Sequence, residues 1–404
     1  MFLPQPIVQV ITRIQSAGYQ AFAVGGCVRD SLMGKEPSDW DIATSAPPQD
    51  VLDIFSKFKT ILTGIKHGTV TVFIGSIPIE ITTFRIDGSY KDNRHPADVI
   101  FSNNIAEDLK RRDFTVNAMA YNPSEGLIDL HGGLEDIRQG IIRAVGNPET
   151  RFREDALRIM RAIRFSATLG FEIEPATNAA IFACSNLLEN IAAERIALEL
   201  DKIITAEKPA PILSQFFSVL SGTLFHHPVT ESNGDFEPLN RSVPYLNVRL
   251  TLFILCAAKL LGLSPSDTGK RLLSRLKYSN RIHNFVMICL ENIDLNLTDN
   301  RISLRKCLHN IGVEPLKCLI SVKSAIADIP NMYDSVSSEI QAILDRNDCL
   351  SVQNLAVKGF DLISIFKLSG KDVGNALNLL LDAVMEERCQ NNYNALIDYY
   401  SKKG

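Results

Sequence analysis

The sequence predicts an α+β chain, with a mixed sheet and helices over residues 1–147 and helices alone thereafter. Three observations predict it. Up to residue 147, β-type runs alternate with short amphipathic segments, whereas from Pro148 helical periodicity takes over and, after a broken passage at 208–245, resumes at about Leu246. The stretch from Ala23 to Thr44, AVGGCVRDSLMGKEPSDWDIAT, sets a glycine turn between a short apolar run and two aspartates two residues apart. At 404 residues the chain exceeds one ordinary core, and about two to four domains are expected.

Taken in order, residues 1–20 carry Ile7, Val10, Ile11 and Ile14 at helical spacing, and Gly18 ends that helix. Ala21–Val24 reads as a buried strand that breaks at Gly25-Gly26 into a helix with Arg29 and Asp30 in its first turns. A second strand is expected to carry Asp39 and Asp41 on either side of Trp40, so that both carboxylates leave one face. A helix over 49–58 follows, then a hairpin of Thr69–Ile74 and 77–84 turning at Gly75-Ser76. Glu80 lies inside the second hairpin strand, either as a surface position or as a third carboxylate facing the aspartates. Residues 85–101, RIDGSYKDNRHPADVIF, form a long polar loop. Helical spacing returns at Ile105 and leads into Arg111, Arg112 and Asp113. A strand and turn at 126–133 and a further short strand at 141–145 complete this part.

Oxygen ligands suit Mg²⁺, and the N–H groups of a glycine turn and helix start suit phosphate. The plain alternative is a pair of solvated edge-strand aspartates beside an ordinary turn. Paired arginines at 111 and 112 match phosphate oxygens with two-pronged geometry, or else form a solvated helix face. In the helical part, Asp155, Arg158 and Arg161 follow one another at intervals of three and are expected along one side of one helix. Simple intrahelical ion pairs would explain that spacing. A sharper reading is that Asp accepts and Arg donates, so the two together complement the exocyclic amine and ring nitrogen shared by cytosine and adenine and reject uracil and guanine.

The ordered segments GGCVRD, SDWDIAT, IEITTFR, KRRDFTVNAMA and REDALRIMRAIRF resemble the class II tRNA nucleotidyltransferase family, which contains CCA-adding enzymes and related bacterial poly(A) polymerases. The resemblance covers the first 200 residues or so densely. It implies a polymerase-β-like palm at 1–147, a helical neck at 148–207, a body at 208–325 and a tail at 326–404. Asp39 and Asp41 would hold two Mg²⁺ ions, with Glu80 as the third catalytic carboxylate. Gly26, Arg29 and Arg112 would contact nucleotide phosphates, and Asp113 would lie near the ribose. Asp155 and Arg158 would read the base, with Arg161 and Arg164 supporting the pocket. CTP and ATP would be the substrates, the acceptor arm and elbow of tRNA the partner, and CCA addition the activity. Partial CC or A addition and poly(A) synthesis are the alternatives, and a homodimer is left open. The 85–101 loop favours full CCA addition, although His95 stands where the family more often has arginine.

The remaining sequence narrows the class further. Charged residues make up 22% of the chain and the net charge is −4, so any nucleic-acid surface is local. Eight cysteines lie scattered without a CxxC pair, a pattern of reduced thiols in a cytoplasmic protein. No stretch reaches the ~18 apolar residues of a membrane span, and the N-terminus lacks the pattern of a secretory signal. The segment 248–260, VRLTLFILCAAKL, has no His-Asp dyad, so no phosphohydrolase activity is expected. Residues 208–245 read as loop-rich, with His226-His227 in a turn. Lys270, Arg271, Arg275, Lys277 and Arg281 form a basic run around Tyr278, serving either as a solvated face or as a contact for RNA phosphates. The segment 354–384 is similar to the family's tail, where Lys358, Gly359, Asp361, Gly370 and Gly374 match and a turn at 370–374 would offer backbone N–H groups to phosphate.

Overall fold

The protein, seen in a computed structural model, is described over residues 1–87, 99–229, 234–329 and 331–403. It divides into two compact units, Met1–Asn233 and Gly234–Gly404.

The first unit begins with α1 (Gln5–Ser16), β1 (Ala21–Val24), α2 (Gly26–Leu32), β2 (Asp41–Thr44) and α3 (Pro48–Ile54). It continues through β3 (Thr60–Ile61), β4 (Thr69–Ile74), β5 (Ile77–Thr83), β6 (Arg85–Asp87), β7 (Val99–Phe101) and α4 (Ile105–Lys110). Next come β8 (Met119–Asn122), β9 (Gly126–Asp129), α5 (Gly133–Gln139) and β10 (Ile141–Ile142). The helical part holds α6 (Pro148–Glu154), α7 (Leu157–Leu169), β11 (Glu172–Ile173), α8 (Pro175–Ala183), α9 (Ala193–Ile204) and α10 (Ala210–Phe225).

Seven strands form one sheet in the order β3-β4-β5-β2-β1-β8-β9. Only β2 and β5 run parallel, and their register sets Asp41 opposite Glu80; the other pairs are antiparallel. Alternation sends Ile42, Ile79 and Ile81 to one face, where they join Ile7, Val10, Val28 and Val51 from α1 to α3 in a core. Phe22, Val24 and Ala43 go to the other face, against Leu109 of α4 and Phe84. Asp41 and Glu80 share that second face, because each is one residue out of step with the first core.

Several sequence expectations shift here. Strand β2 starts at Asp41, so Asp39 sits in the bend before it, although the Trp40 carbonyl still accepts the Glu80 N–H at 3.3 Å. The expected helix at 49–58 is α3, which ends at Ile54. The strand foreseen at 141–145 is β10, paired with β11 away from the main sheet. Of the polar loop, only the flanking strands β6 and β7 are among the described residues, and His95 lies outside them. Helix α10 overturns the loop reading of 208–245: Pro209 and Pro211 stand at its start, where a missing N–H costs nothing. His226 ends that helix in the left-handed region, φ 51°.

The second unit is helical: α11 (Glu237–Arg241), α12 (Leu246–Leu261), α13 (Pro265–Arg275), α14 (Asn280–Glu291), α15 (Arg301–Ile311), α16 (Val313–Ala327), α17 (Asp334–Asp345), α18 (Gly359–Phe366), α19 (Lys371–Met385) and α20 (Tyr393–Lys403). One apolar cluster joins α15, α16 and α17 through Leu304, Leu319 and Ile340, and another joins α18, α19 and α20 through Leu362, Leu380 and Leu396. The turn expected at 370–374 is the start of α19, with Gly370 before its first residue at φ 54°.

Candidate active site

Strand β1 runs into Gly25, whose φ of 78° is the left-handed region that glycine adopts at little cost. A Cβ there would also stand 2.9 Å from Nη1 of Arg112, so that guanidinium would have to shift. The turn therefore lets Arg112 close against the start of α2. Asp108, buried on α4, holds both arginines: Arg111 Nη2 lies 2.7 Å from one carboxylate oxygen and Arg112 Nη2 3.0 Å from the other. Burial alone would raise the Asp108 pKa, but the charges of Arg112 and Arg111 outweigh it and hold the carboxyl below its usual range.

These groups open onto a cavity of about 580 Å³. Its walls hold eight cationic side chains and five aspartates, an excess of positive charge suited to a polyphosphate. Asp39 and Asp41 lie at the β2 side. Burial, then Asp39, then Glu80 push Asp41 up to about 6. The negative charge of Asp39 and Glu80 that contributes to this shift also attracts a cation. Glu80, opposite Asp41 on β5, is exposed and does not line the cavity.

At the helical side, the chain breaks between α6 and α7. Asp155 takes an extended conformation, φ −139° and ψ 104°, and its Oδ1 accepts the Leu157 N–H at 3.1 Å. Asp155 therefore does not share a helix face with Arg158 and Arg161, as its spacing predicted; its side chain caps the helix that carries them. The two supposed base readers do not pair with each other. Arg158 Nη1 donates to Glu154 at 2.7 Å, and its Nη2 donates to the Arg111 carbonyl at 2.8 Å. Asp155 Oδ2 instead accepts from Arg195 Nη2 on α9 at 3.1 Å.

Arg161 grips Asp113, with Nε at 2.7 Å and Nη2 at 2.5 Å from Oδ2. Burial would raise Asp113, but the charge and hydrogen bonds of Arg161 hold it down at about 2. Arg164 lies 2.8 Å from Glu199 and 4.0 Å from the Phe165 ring centre. Arg29 Nη1 donates to Asn117 Oδ1 at 2.6 Å.

One cavity thus gathers Gly26, Arg29, Asp39, Asp41, Arg112, Asp113, Asp155, Arg158, Arg161 and Arg164, every residue expected there except Glu80. It also takes in Asn117, Arg195 and Lys202, which sequence reasoning missed. Asn117 sits within KRRDFTVNAMA, where its spacing from Arg112 and Asp113 was the available signal. Arg195 has only the amphipathic pattern of its helix to mark it.

Comparison with known proteins follows the same division. The model of the poly A polymerase head domain matches residues 21–143, that of the RNA and SrmB binding site of polymerase A matches 170–218, and that of tRNA nucleotidyltransferase domain 2 matches 252–400. A CCA-adding enzyme of Lactiplantibacillus plantarum is 36% identical over 396 residues, 96% of this chain and 94% of that protein. One of Ligilactobacillus salivarius is 36% identical over 401 residues, 97% and 95% of the two chains. The crystal structure of the Bacillus stearothermophilus CCA-adding enzyme in complex with CTP superimposes with a TM-score of 0.82 at 31% identity, covering 99% of this chain and 98% of that one. Likeness of this degree, sustained along nearly the full length of both partners, shows that the chain belongs to the CCA-adding enzyme family of tRNA nucleotidyltransferases.

Proposed function

We propose that this protein adds C, C and A in turn to the 3′ end of tRNA from CTP and ATP, without a nucleic-acid template, and releases pyrophosphate. The observation that carries the reading is the single cavity with a carboxylate pair at one side and Asp155 and Arg158 at the other. Its relatives are named for CCA addition, and the solved structure described above is of a CCA-adding enzyme in complex with CTP.

Asp39 and Asp41 would hold Mg²⁺. Among the described residues no three His, Cys, Asp or Glu side chains converge on a common metal position. The donor set nevertheless fits Mg²⁺, which commonly takes one or two carboxylates and completes its shell with water and substrate phosphate. When bound, two such ions lower the pKa of the primer 3′-hydroxyl and stabilise charge on the triphosphate. Arg29 and Arg112 neutralise the triphosphate, and Gly26 lets it approach the backbone. Asp155 and Arg158 are each anchored by groups other than one another, which keeps both available to a base edge. A carboxylate acceptor beside a guanidinium donor meets the amine and ring nitrogen of cytosine or adenine, and opposes the reversed pattern of uracil or guanine. Glu80 acts from the neighbouring strand by adding negative charge beside Asp41.

The acceptor arm would enter at this cavity, and the helical body and tail, residues 208–325 and 326–404, would contact the rest of the tRNA out to its elbow. A cytoplasmic setting goes with eight cysteines that are all free thiols. No single helix among the described residues is long and apolar enough to cross a membrane.

Incubation with Mg²⁺, labelled CTP or ATP, and tRNAs ending before the first C, after one C or after CC tests the proposal. Incorporation of both nucleotides, stopping after one A, is expected. Arrest at CC would mark a partial enzyme, and a long A tail without use of CTP would mark a poly(A) polymerase.

A further inference from the structure

We infer that Asn117 is a positioning residue for the triphosphate, fixing Arg29 through its side chain and Arg112 through its backbone carbonyl while its own amide is held by Asp113. This role rests on the functional reading above and adds a residue to it. Asn117 is 6% exposed and closes the 3-10 turn Thr115–Asn117. Its Oδ1 accepts Arg29 Nη1–H at 2.6 Å, its Nδ2 donates to Asp113 Oδ1 at 3.3 Å, and its carbonyl accepts Arg112 Nη1–H at 3.4 Å.

The donor count shows what this arrangement achieves. Arg29 has five N–H groups. Asp30 takes Nε and Nη2, and Asn117 takes one on Nη1, which leaves two to meet phosphate oxygens. Asp113 has about four acceptor positions. The Phe114 N–H at 2.8 Å and Asn117 occupy Oδ1, and Arg161 occupies Oδ2 with both Nε and Nη2. These contacts hold Asp113 in a fixed orientation beside Asn117. An amide is the side chain this position requires, because one end must accept from a cation while the other donates to an anion. A carboxylate would set like charges against each other, and an apolar isostere would leave two buried charges short of partners.

The full-length chain with Asn117→Ala, and with the same-shaped Asn117→Asp, tests the assignment. The KM for CTP and for ATP and the inhibition constant of pyrophosphate should rise together by about tenfold or more, the scale of a lost hydrogen bond to a charged group. Preference for CTP over UTP and for ATP over GTP should hold, since the base end of the cavity is untouched. Asn117→Asp should be at least as impaired as Asn117→Ala, although it differs least in shape. Direct binding of pyrophosphate by calorimetry should weaken in step. A purely structural role would lower the melting temperature and kcat with KM and pyrophosphate binding unmoved. Unchanged KM and pyrophosphate inhibition in a folded variant overturn the assignment. If the unaltered chain incorporates neither nucleotide, the functional reading fails and this role falls with it.

Discussion

Asp155 is held by Arg195, forty residues further along the chain, with Nη2 3.1 Å from Oδ2, while its other oxygen caps the helix that begins at Leu157. A carboxylate fixed at both oxygens can present its remaining lone pairs in one orientation only. Asp155→Ala should therefore reduce the preference for CTP over UTP and ATP over GTP by about tenfold or more, the scale of one well-placed donor–acceptor pair. Arg195→Met should act in the same direction and less strongly. Single-nucleotide incorporation measured with all four triphosphates separates this outcome from a uniform loss of rate.

Chemistry should depend on the acid pair. Asp39→Ala or Asp41→Ala should cut incorporation about a thousandfold, the scale of lost metal stabilisation, in a variant that still melts cooperatively, and for Asp41→Ala at no lower a temperature than the metal-free parent at neutral pH. Chelation with EDTA should abolish activity in the parent, and added Mg²⁺ should restore it. Normal turnover in either variant would move the catalytic centre elsewhere.

Asp41, raised to about 6 by burial, Asp39 and Glu80, favours the metal-free fold when protonated. That stability is present below its ordinary pKa and is lost as pH rises through about 6. Mg²⁺ binds the deprotonated form, so the rise in melting temperature on adding Mg²⁺ should grow across the same window. Glu80→Gln removes one of the raising charges and should shift that window toward lower pH.

Asp113 behaves in the opposite sense. Its folded pKa of about 2 lies below its unfolded value, so its contribution is full above about 4 and disappears as pH falls from there to about 2. The magnitude is on the order of 2 kcal/mol. Asp113→Asn should lower stability at neutral pH and flatten this part of the acid unfolding curve, as followed by circular dichroism.

Gly25→Ala places a Cβ 2.9 Å from Arg112 Nη1 on a backbone at φ 78°. It should cost about 1–3 kcal/mol in stability from backbone strain and raise the KM for both nucleotides by displacing the arginine. Thermal melting and steady-state kinetics on one preparation check both parts.

Much of the site was legible because its signals are local. A glycine pair after an apolar run, two aspartates separated by one residue and arginines beside an aspartate are set by neighbours in the chain. The hairpin of β4 and β5 followed from alternation and Gly75. The Asp155 cap was also readable, since Asp shortly before a run of helix formers is an N-terminal signal, but the continuous spacing of Asp155, Arg158 and Arg161 pointed to one unbroken helix. The prolines at 209 and 211 were read as breaks when they start a helix, because proline is costly inside a helix and harmless in its first turn.

By itself, then, the sequence determined the α+β head, the helical remainder, the acid pair and the run of basic and acidic residues from Arg111 to Arg164, because hydrophobic period and residue chemistry are properties of short stretches. Only the tertiary structure decided which charge each residue meets. It gave Asp155 to Arg195, Asp113 to Arg161 and Arg29 to Asn117. Those choices depend on distances across packed helices and strands, and a short-range Coulomb and hydrogen-bond energy leaves no mark on the spacing of residues along the chain.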